Sequence, residues 1–550
     1  MTAAQMLLDA AAKAGLYGLM ARSSGPQIRG GEVAAFLRLG ARPVECLDDR
    51  FDLMVALDWL NVERFAGEIV LDRESVVLCD ADAGEAPERM RVRRAAGAAA
   101  AAGDGEEPRR RADEHAGLGL LTGLTGLPED VVGAVVAKGL KKRGQEVLDA
   151  GLAGVRAGMA LVAGMDAVRC RPAAGGASAA ARWNISGNEA TGLGCIRGGI
   201  RFVAAYPITP ATEILEWLAP SLEKVGGVLV QAEDELASIN MIIGGSFGGV
   251  PALTATSGPG LALMMESIGL AVASETPIVV VDVMRGGPST GIPTKSEQSD
   301  LNIALYGLHG DAPHIVTAAR SIADCQFTAQ WSVHLAEQLQ VPVIVLTDQS
   351  LGQSRAVIDR PADLAFIGRR KFRPQASAIT RYAVTASGSR RWPSRGRRAA
   401  STSPTASACG LRPAIERQRR PRGPARQAGA QAGAVDYGQH WADVEGDGAL
   451  AIVTWGSCAA GPPRRALAPG SRHRDAVTCR GCWHRRRRNA SPLPSMAPSG
   501  FSWSSRATPG SSYRHLPGAL RPAVRRAGAE RPGPLPIRPG EVLETLRAWS

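Results

Sequence analysis

Residues 227–256 read GVLVQAEDELASINMIIGGSFGGVPALTAT. Two short apolar runs, 227–231 and 250–256, flank a run of helical character at 236–247. Short runs rich in β-branched residues favour strands, and a helix between two such strands is typical of a parallel β–α–β unit. This stretch therefore predicts an α/β fold.

The same alternation continues on both sides of the stretch, from residue 184 to about residue 361. Further strands are predicted at 199–205, 277–283 and 341–347, and further helices at 211–224, 261–274 and 322–339. Strands that alternate with helices in this way form a parallel sheet covered on both faces. Ligands of such sheets gather where the carboxyl ends of strands meet helix N-termini.

The composition of the chain is that of a globular protein of about three to four domains, at ~150 residues per domain. The N-terminus, MTAAQMLLDAAAKAG, has no basic region ahead of its apolar residues, and no segment offers the ~20 uninterrupted apolar residues of a membrane span. The nine cysteines follow no disulfide framework, which suits a reducing compartment. We expect a cytoplasmic protein with no membrane partner.

The net charge of +12 is concentrated in two windows. Residues 387–433 carry 11 Arg and one acid, and residues 459–535 carry 15 Arg and two acids, so the rest of the chain sums to −11. The windows are either a disordered basic tail or segments read in a shifted frame of a GC-rich gene. The frameshift is favoured, because globular character resumes at 435–458 and 534–549. Few aromatic residues are interleaved, so no nucleic-acid partner is expected.

The first candidate for chemistry is AAYPITPATEILEWL, residues 204–218. A strand runs into a turn after Tyr206, Thr209 stands at the expected N-cap of a helix, and Pro210 stands at its first position. One interpretation is a well-formed helix start. The other is a turn committed to a ligand.

The second candidate is Glu235, the last of three consecutive acids. A helix N-terminus favours one carboxylate by ~0.3 to 1 kcal/mol, but three adjacent carboxylates repel each other. Glu233 and Asp234 are interpreted as helix-end charges. Glu235 adjoins Leu236 and Ile239, and an apolar wall disfavours the charged form of a carboxyl. Glu235 is therefore the candidate for proton transfer.

The third candidate is the loop MRGGPSTGIPTKSEQSDLN, residues 284–302, which follows the strand PIVVVDV. It is either a mobile surface loop with solvated cations or an anion-binding loop in which Arg285 grips a carboxylate. Lys295 lies in the same loop. The turn TSGPG, with Ser257 and Gly258, permits close backbone approach but is weak evidence alone.

Three segments together resemble the alpha subunit of the 2-oxoacid:ferredoxin oxidoreductases, particularly the 2-oxoglutarate type with a fused gamma domain. They are GNEATGLGCIRGGIRFVAAYPITPATEI, QAEDELASINMIIGGSFGGVPALTATSGPGLALM and the loop at 284–302. RSSGPQIRGGEVAAFLRL, residues 22–39, resembles the gamma domain.

The resemblance implies a multi-domain α/β protein. A gamma-type domain would occupy 1–165, without its usual first strand, and a linker 166–183. The parallel-sheet domain that binds the pyrimidine of thiamine diphosphate would occupy 184–365. A transketolase-C-like domain would occupy 378–550, disrupted by frameshifted segments at 387–433 and 459–535.

The resemblance also assigns roles to residues. Glu235 would hydrogen-bond the aminopyrimidine of thiamine diphosphate and promote the tautomer that deprotonates the thiazolium C2. Thr209 would contact the 2-oxoacid group and Arg285 its C1 carboxylate, while Lys295 would read a distal carboxylate. The remaining expected contacts are Tyr206 for substrate, and Pro207, Ile208, Ser257 and Gly258 for the cofactor.

Enzymes of the family oxidatively decarboxylate a 2-oxoacid. They transfer its acyl group to CoA, release CO2 and pass the electrons to ferredoxin. Here neither GDG, at 103–105 or 446–448, has a suitably spaced Asn for Mg2+ and diphosphate, and no cysteine set suits a [4Fe-4S] cluster. Mg2+, diphosphate and cluster are therefore expected on a partner beta subunit, in an alpha-beta heterodimer or its dimer. Two alternatives are a subunit specific for pyruvate or branched-chain 2-oxoacids and a non-catalytic product of a frameshifted gene.

Overall fold

The structure is a computed structural model. It describes residues 2–25, 32–79, 86–90, 96–97, 106–162, 182–310, 312–370, 440, 442–445, 450–459, 475–479, 500–505, 525–530, 541 and 544. The chain forms two compact units. The described residues of 1–186 and 354–362 form most of the first, and those of 187–353 and 363–537 form most of the second.

The first unit contains four α-helices and two sheets in its described residues. Its elements up to residue 186 are α1 (Thr2–Lys13), β1 (Tyr17–Ser24), β2 (Val33–Gly40), β3 (Leu53–Ala56), β4 (Val76–Cys79), β5 (Ala96–Gly97), α2 (Glu106–Thr125), α3 (Glu129–Leu140), α4 (Gln145–Val162) and β6 (Arg182–Ser186). Strands β3, β4 and β5 form a parallel sheet. Apolar side chains of α1, α2, α3 and α4 share one core.

The second unit begins with the predicted alternation of helices and strands. Its elements up to residue 353 are α5 (Gly187–Gly198), β7 (Phe202–Ala205), α6 (Thr212–Glu223), β8 (Val228–Gln231), α7 (Glu235–Phe247), β9 (Ala252–Thr256), α8 (Gly258–Ala273), β10 (Val279–Met284), α9 (Leu301–Tyr306), β11 (Ile315–Ala318), α10 (Ile322–Leu339), β12 (Val343–Asp348) and α11 (Gln349–Gln353). The predicted strands and helices are confirmed, and β11 is an addition to them.

Six strands of the second unit form one parallel sheet in the order β11-β12-β10-β9-β7-β8. The central strands β9, β10 and β12 are buried along their whole length, as expected for a parallel sheet covered on both faces. One core lies between the sheet and α7, α8 and α9, and a second core lies between the sheet and α5, α6 and α10. The α/β prediction for this segment is confirmed.

Two short segments at the ends of the predicted parallel-sheet domain cluster with the first unit. Residues 184–186 and 354–362 belong to the first unit, although the sequence places them with the parallel sheet. The strand β13 (Arg355–Asp359) pairs antiparallel with both β6 and β1, and β2 completes that sheet. This grouping arises because β13 finds a main-chain partner in β1, which lies far away in sequence, and β6 joins the same sheet through β13.

Beyond residue 440, the described residues form a five-stranded sheet in the second unit. Its strands, in the order β14-β16-β15-β17-β18, are β14 (Ala442–Glu445), β15 (Leu450–Trp455), β16 (Asp475–Cys479), β17 (Gly500–Ser505) and β18 (Arg525–Glu530). Strands β16, β17 and β18 lie within 459–535. The frameshift at 459–535 remains a prediction, and so do the domain boundaries. The described residues do not include the segment 387–433 or the linker at 166–181.

The end of β15 packs into the parallel-sheet domain. Trp455 is fully buried and joins the core formed by α7, α8 and α9. Next to it, the Ser457 hydroxyl donates a hydrogen bond to Asp348, the last residue of β12. Asp348 also accepts from Gln298 Nε2 at 3.1 Å and from Ser296 Oγ at 3.2 Å. The segment at 454–458 is therefore integrated into the domain that precedes it.

Glycines in α5 allow a close approach to α10, which gives a stability prediction. A Cβ atom at Gly194 would lie 2.2 Å from the carbonyl oxygen of Gln326, whereas a Cβ at Gly269 in α8 meets nothing within 4 Å. We expect Gly194→Ala to lower the free energy of unfolding by about 2 to 3 kcal/mol, because the backbone must move to relieve the clash. Urea unfolding followed by circular dichroism measures the change.

Gly269→Ala is the matched control for this prediction. Alanine has the higher helix propensity, so the control should leave stability unchanged or raise it by up to ~1 kcal/mol. Equal effects of the two substitutions would contradict a close contact between α5 and α10.

Candidate functional site

The N-terminus of α7 separates the roles of its three acids. Asp234 is the N-cap, and its Oδ1 accepts a hydrogen bond from the Ala237 N–H at 2.6 Å. Glu233 is exposed, while Glu235 is the first helical residue and only 8% exposed. Because Asp234 satisfies the helix end, the Glu235 carboxyl is available for another function.

The surroundings of Glu235 differ in part from the expected apolar wall. Ile239 and Ile243 are buried, but Leu236 is 49% exposed, since only one face of α7 packs on the sheet. The Glu235 side chain lies instead against the start of α8. A Cβ at Gly260 would stand 2.7 Å from Glu235 Cγ and 2.1 Å from Thr256 Oγ1, so glycine is required there.

The turn after β7 departs from the predicted helix start. The Thr209–Pro210 peptide is cis, and α6 begins at Thr212 after the N-cap Ala211. The carbonyl of an N-cap residue accepts the first intrahelical hydrogen bond, whereas the Thr209 carbonyl accepts from Arg285. The prediction that Thr209 caps the helix and that Pro210 takes its first position is therefore wrong. Tyr206, at the start of this turn, is 40% exposed.

Arg285 joins two segments that are distant in sequence. Its Nη1 donates to the Thr209 carbonyl at 2.7 Å, and its Nη2 donates to the Thr290 carbonyl at 2.6 Å. The residue is 8% exposed, and its Nε has no hydrogen-bond partner among the described residues. Burial lowers the pKa of Arg285, while Asp300 and then Glu235 raise it. One N–H of the guanidinium is thus left to donate to an anion.

The loop from 285 to 298 is held by its own main chain. The Gly286 N–H donates to the Lys295 carbonyl, and the Ile292 N–H donates to the Gly286 carbonyl, both at 2.8 Å. Glu297 accepts from the Gly287 N–H at 2.8 Å. These contacts favour the ordered anion-binding loop over a mobile surface loop. Lys295 is placed at the base of the loop, ten residues from Arg285 along the chain.

The turn after β9 carries the two remaining residues predicted to contact a cofactor. Ser257 is the N-cap of α8, yet its Oγ is fully buried and makes no hydrogen bond to any described residue. A Cβ at Gly258 would lie 2.6 Å from Asp300 Oδ2. Pro207 and Ile208 are half-buried in the turn after β7. The structure therefore gathers the predicted residues at the carboxyl ends of adjacent strands of one sheet.

Two family models match the chain. Residues 193–396 match the domain described as "Pyruvate flavodoxin/ferredoxin oxidoreductase, thiamine diP-bdg", and residues 1–161 match "Pyruvate ferredoxin/flavodoxin oxidoreductase". Together the two matches cover more than half of the chain. The chain belongs to the pyruvate ferredoxin/flavodoxin oxidoreductase family.

Curated relatives support the same membership. Over 187 residues the chain is 46% identical to 2-oxoglutarate synthase subunit KorA of Methanocaldococcus jannaschii, a match that covers 34% of this chain and 51% of that protein. Over 188 residues it is 48% identical to the same subunit of Methanothermobacter marburgensis, with coverages of 34% and 50%. The chain spans about half the length of these relatives.

A solved family structure resembles the whole fold. The 2-oxoglutarate:ferredoxin oxidoreductase from Magnetococcus marinus, with 2-oxoglutarate, coenzyme A and succinyl-CoA bound, superimposes with a TM-score of 0.84 at 29% identity. The match covers 100% of this chain and 96% of that one. In the part of this family member that the structure describes, no helix is long and apolar enough to cross a membrane.

Two acids that the sequence analysis missed lie beside the predicted site residues of this family member. Burial and then Glu297 raise the pKa of Asp300 to about 7, against the opposing effect of Arg285. Asp282, in the centre of β10, is fully buried with neither carboxyl oxygen hydrogen-bonded to a described residue. Burial and then Asp300 raise the pKa of Asp282. For Asp282, the only signal in the sequence is that an acid stands inside the apolar strand PIVVVDV.

The raised pKa of Asp300 predicts how stability depends on pH. Unfolded Asp titrates near pH ~3.9, so between about pH 4 and 7 the folded chain retains a proton that the unfolded chain releases. The stabilisation from this residue is therefore present below about pH 4 and is lost as the pH rises to about 7. We expect Asp300→Asn to remove this loss.

The measurement is the thermal unfolding midpoint of Asp300→Asn minus that of the wild type, from pH 4 to pH 8. This difference should increase up to about pH 7 and then level off. A difference that stays constant over the range would contradict the assignment.

Proposed function

We propose that the chain is the alpha subunit of a 2-oxoglutarate:ferredoxin oxidoreductase. With a beta subunit it would oxidatively decarboxylate 2-oxoglutarate, transfer the succinyl group to CoA, release CO2 and pass the electrons to ferredoxin. The observation that carries the proposal is the convergence of Glu235, Arg285 and Thr209 at the strand ends of the domain that matches the thiamine diphosphate-binding family model. The names of the relatives support 2-oxoglutarate as substrate.

The residues present fit one end of thiamine diphosphate. Glu235 offers a carboxyl that is not used as a helix cap, the buried Ser257 hydroxyl lacks a described partner, and Gly260 has no side chain to crowd Glu235. When bound, the cofactor supplies a nucleophilic carbon and an electron sink for decarboxylation. Glu235 would hold a proton at the aminopyrimidine ring, while Pro207, Ile208, Ser257 and Gly258 would line its sides.

The substrate would bind against the loop and the turn that Arg285 joins. Arg285 presents an unused Nε–H to the C1 carboxylate, and its position beside Thr209 brings the 2-oxo group to the turn. Tyr206 is exposed at the edge of that turn and could contact the substrate. Lys295 would bind the distal carboxylate, which distinguishes a dicarboxylic from a monocarboxylic 2-oxoacid.

A beta subunit would complete the site. The exposed faces of α7 and α8 carry Leu236 and Leu263, and Asn240 joins the two helices by a 3.2 Å hydrogen bond to Ser267. Because Glu235 starts this apolar surface, the chain that supplies diphosphate contacts, Mg2+ and a [4Fe-4S] cluster would pack here. We propose an alpha-beta heterodimer or its dimer, with CoA as co-substrate.

The cytoplasm is the proposed compartment. Cys46, Cys79, Cys195, Cys325 and Cys458 are free thiols, as expected in a reducing environment. A low-potential acceptor such as ferredoxin is consistent with that setting. Neither a nucleic acid nor a membrane is proposed as a partner.

The function is tested by co-expression with a cognate beta subunit. The assembled complex should reduce a viologen dye only when 2-oxoglutarate and CoA are both present, and succinyl-CoA should accumulate. An assembled complex that uses pyruvate or a branched-chain 2-oxoacid and ignores 2-oxoglutarate would overturn the substrate assignment. A complex that assembles but oxidises no 2-oxoacid would support the non-catalytic alternative.

The role of Glu235 gives a separate prediction. Glu235→Gln should lower kcat by about 10²- to 10⁴-fold, the usual contribution of a positioned acid-base group, with assembly unchanged. Turnover, and exchange of the thiazolium C2 proton followed by NMR, measure the effect. The matched control is Glu233→Gln, two residues away and exposed, which should keep wild-type turnover. Unaltered turnover in Glu235→Gln would rule out its role.

A further inference from the structure

Beneath the proposed substrate site, a chain of side-chain hydrogen bonds connects the loop at 285–298 with the turn at 206–210. Its members are Gln349 and Gln353 on α11, Glu213 on α6 and Asn188 on α5. The sequence does not single out any of these residues, because they lie on three helices and those of α11 are more than 100 positions along the chain from the other two.

The first half of the connection starts at the loop. Gln349 Nε2 donates to the Thr294 carbonyl at 3.3 Å and to Gln353 Oε1 at 2.9 Å. Thr294 immediately precedes Lys295. Both N–H groups of one amide are thus used, one on the loop and one on the next member of the chain.

The second half ends at the turn. Gln353 Nε2 donates to Glu213 Oε1 at 3.1 Å, and Asn188 Nδ2 donates to Glu213 Oε2 at 3.4 Å. Asn188 Nδ2 also donates to the Pro210 carbonyl at 3.0 Å. The two carboxyl oxygens of Glu213 therefore join the glutamine half to the asparagine half.

The two ends of the connection are buried. Gln349 is 7% and Asn188 is 1% exposed. A Cβ at Gly352 would lie 2.6 Å from Asn188 Oδ1, and a Cβ at Gly187 would lie 2.2 Å from the Leu351 carbonyl oxygen. Helices α5 and α11 therefore meet backbone to backbone, and loss of a buried amide leaves its partners unsatisfied.

We propose that Gln349, Gln353, Glu213 and Asn188 are positioning residues that set the separation between the turn with Thr209 and the loop segment with Lys295. The inference rests on the proposed function. The Arg285 guanidinium joins the same two segments at the carboxylate end of the substrate, and the amide connection would hold them at the Lys295 end. A fixed separation selects the length of the 2-oxoacid, because both ends of a dicarboxylic substrate must be reached together.

The substitution that tests the proposal is Gln349→Met, which keeps length and volume but removes both donors. In the alpha-beta complex, KM for 2-oxoglutarate should rise about 5- to 10-fold, as for one lost hydrogen bond in a binding site. KM for 2-oxobutyrate, which lacks the distal carboxylate, should change less than twofold, and kcat should be retained. The matched control is Gln326→Met, a buried glutamine of α10 that bonds Gln330. It should leave both KM values unchanged.

Hydrogen–deuterium exchange provides a readout that does not depend on turnover. In the alpha-beta complex, Gln349→Met should increase exchange in peptides that cover 287–296 and also in peptides that cover 206–210. Faster exchange in the loop alone, or an equal rise of both KM values, would overturn the inference. A wild-type complex that ignores 2-oxoglutarate would overturn the proposed function, while the exchange result would still decide whether the two segments are coupled.

Discussion

The buried guanidinium of Arg285 is the interaction on which the candidate site depends. A cation removed from water is costly unless it is paired and hydrogen-bonded. Here two of its nitrogens donate to the carbonyls of Thr209 and Thr290, and the carboxyls of Asp300 and Glu235 act on it electrostatically. The turn after β7, the loop after β10 and the start of α7 are all near this one cation. Arg285 therefore connects the turn and the loop at this end of the sheet.

The acids near Arg285 are in different environments. Glu235 stands at a helix N-terminus, where the dipole favours negative charge, whereas Asp282 is enclosed in the middle of β10. Asp300 lies between these extremes, and burial raises its pKa to about 7. Burial therefore raises the pKa of both Asp282 and Asp300, and carboxyls with shifted pKa values are common where proton transfer is required.

The parallel-sheet domain is also supported by residues far along the chain. Trp455 completes one of its cores, and Ser457 donates to Asp348 at the end of β12. The same Asp348 accepts from Ser296 and Gln298, which continue the loop that contains Lys295. The loop is therefore fixed from three directions: by Arg285 at its start, by α11 beneath it and by the segment at 454–458 at its end.

The α/β alternation of residues 199–347 is predictable from the sequence alone, because strand and helix periodicities are local properties of the chain. The sequence also distinguished Glu235 from its two acidic neighbours and placed Thr209, Ser257, Arg285 and Lys295 in loops after strands. Only the tertiary structure decided which strands pair with β1, that Thr209 does not cap α6, and that Asp282, Asp300 and the Asn188–Gln349 connection surround the site. These features depend on contacts between segments distant in sequence, and such contacts form only when the sheet brings the carboxyl ends of its strands together.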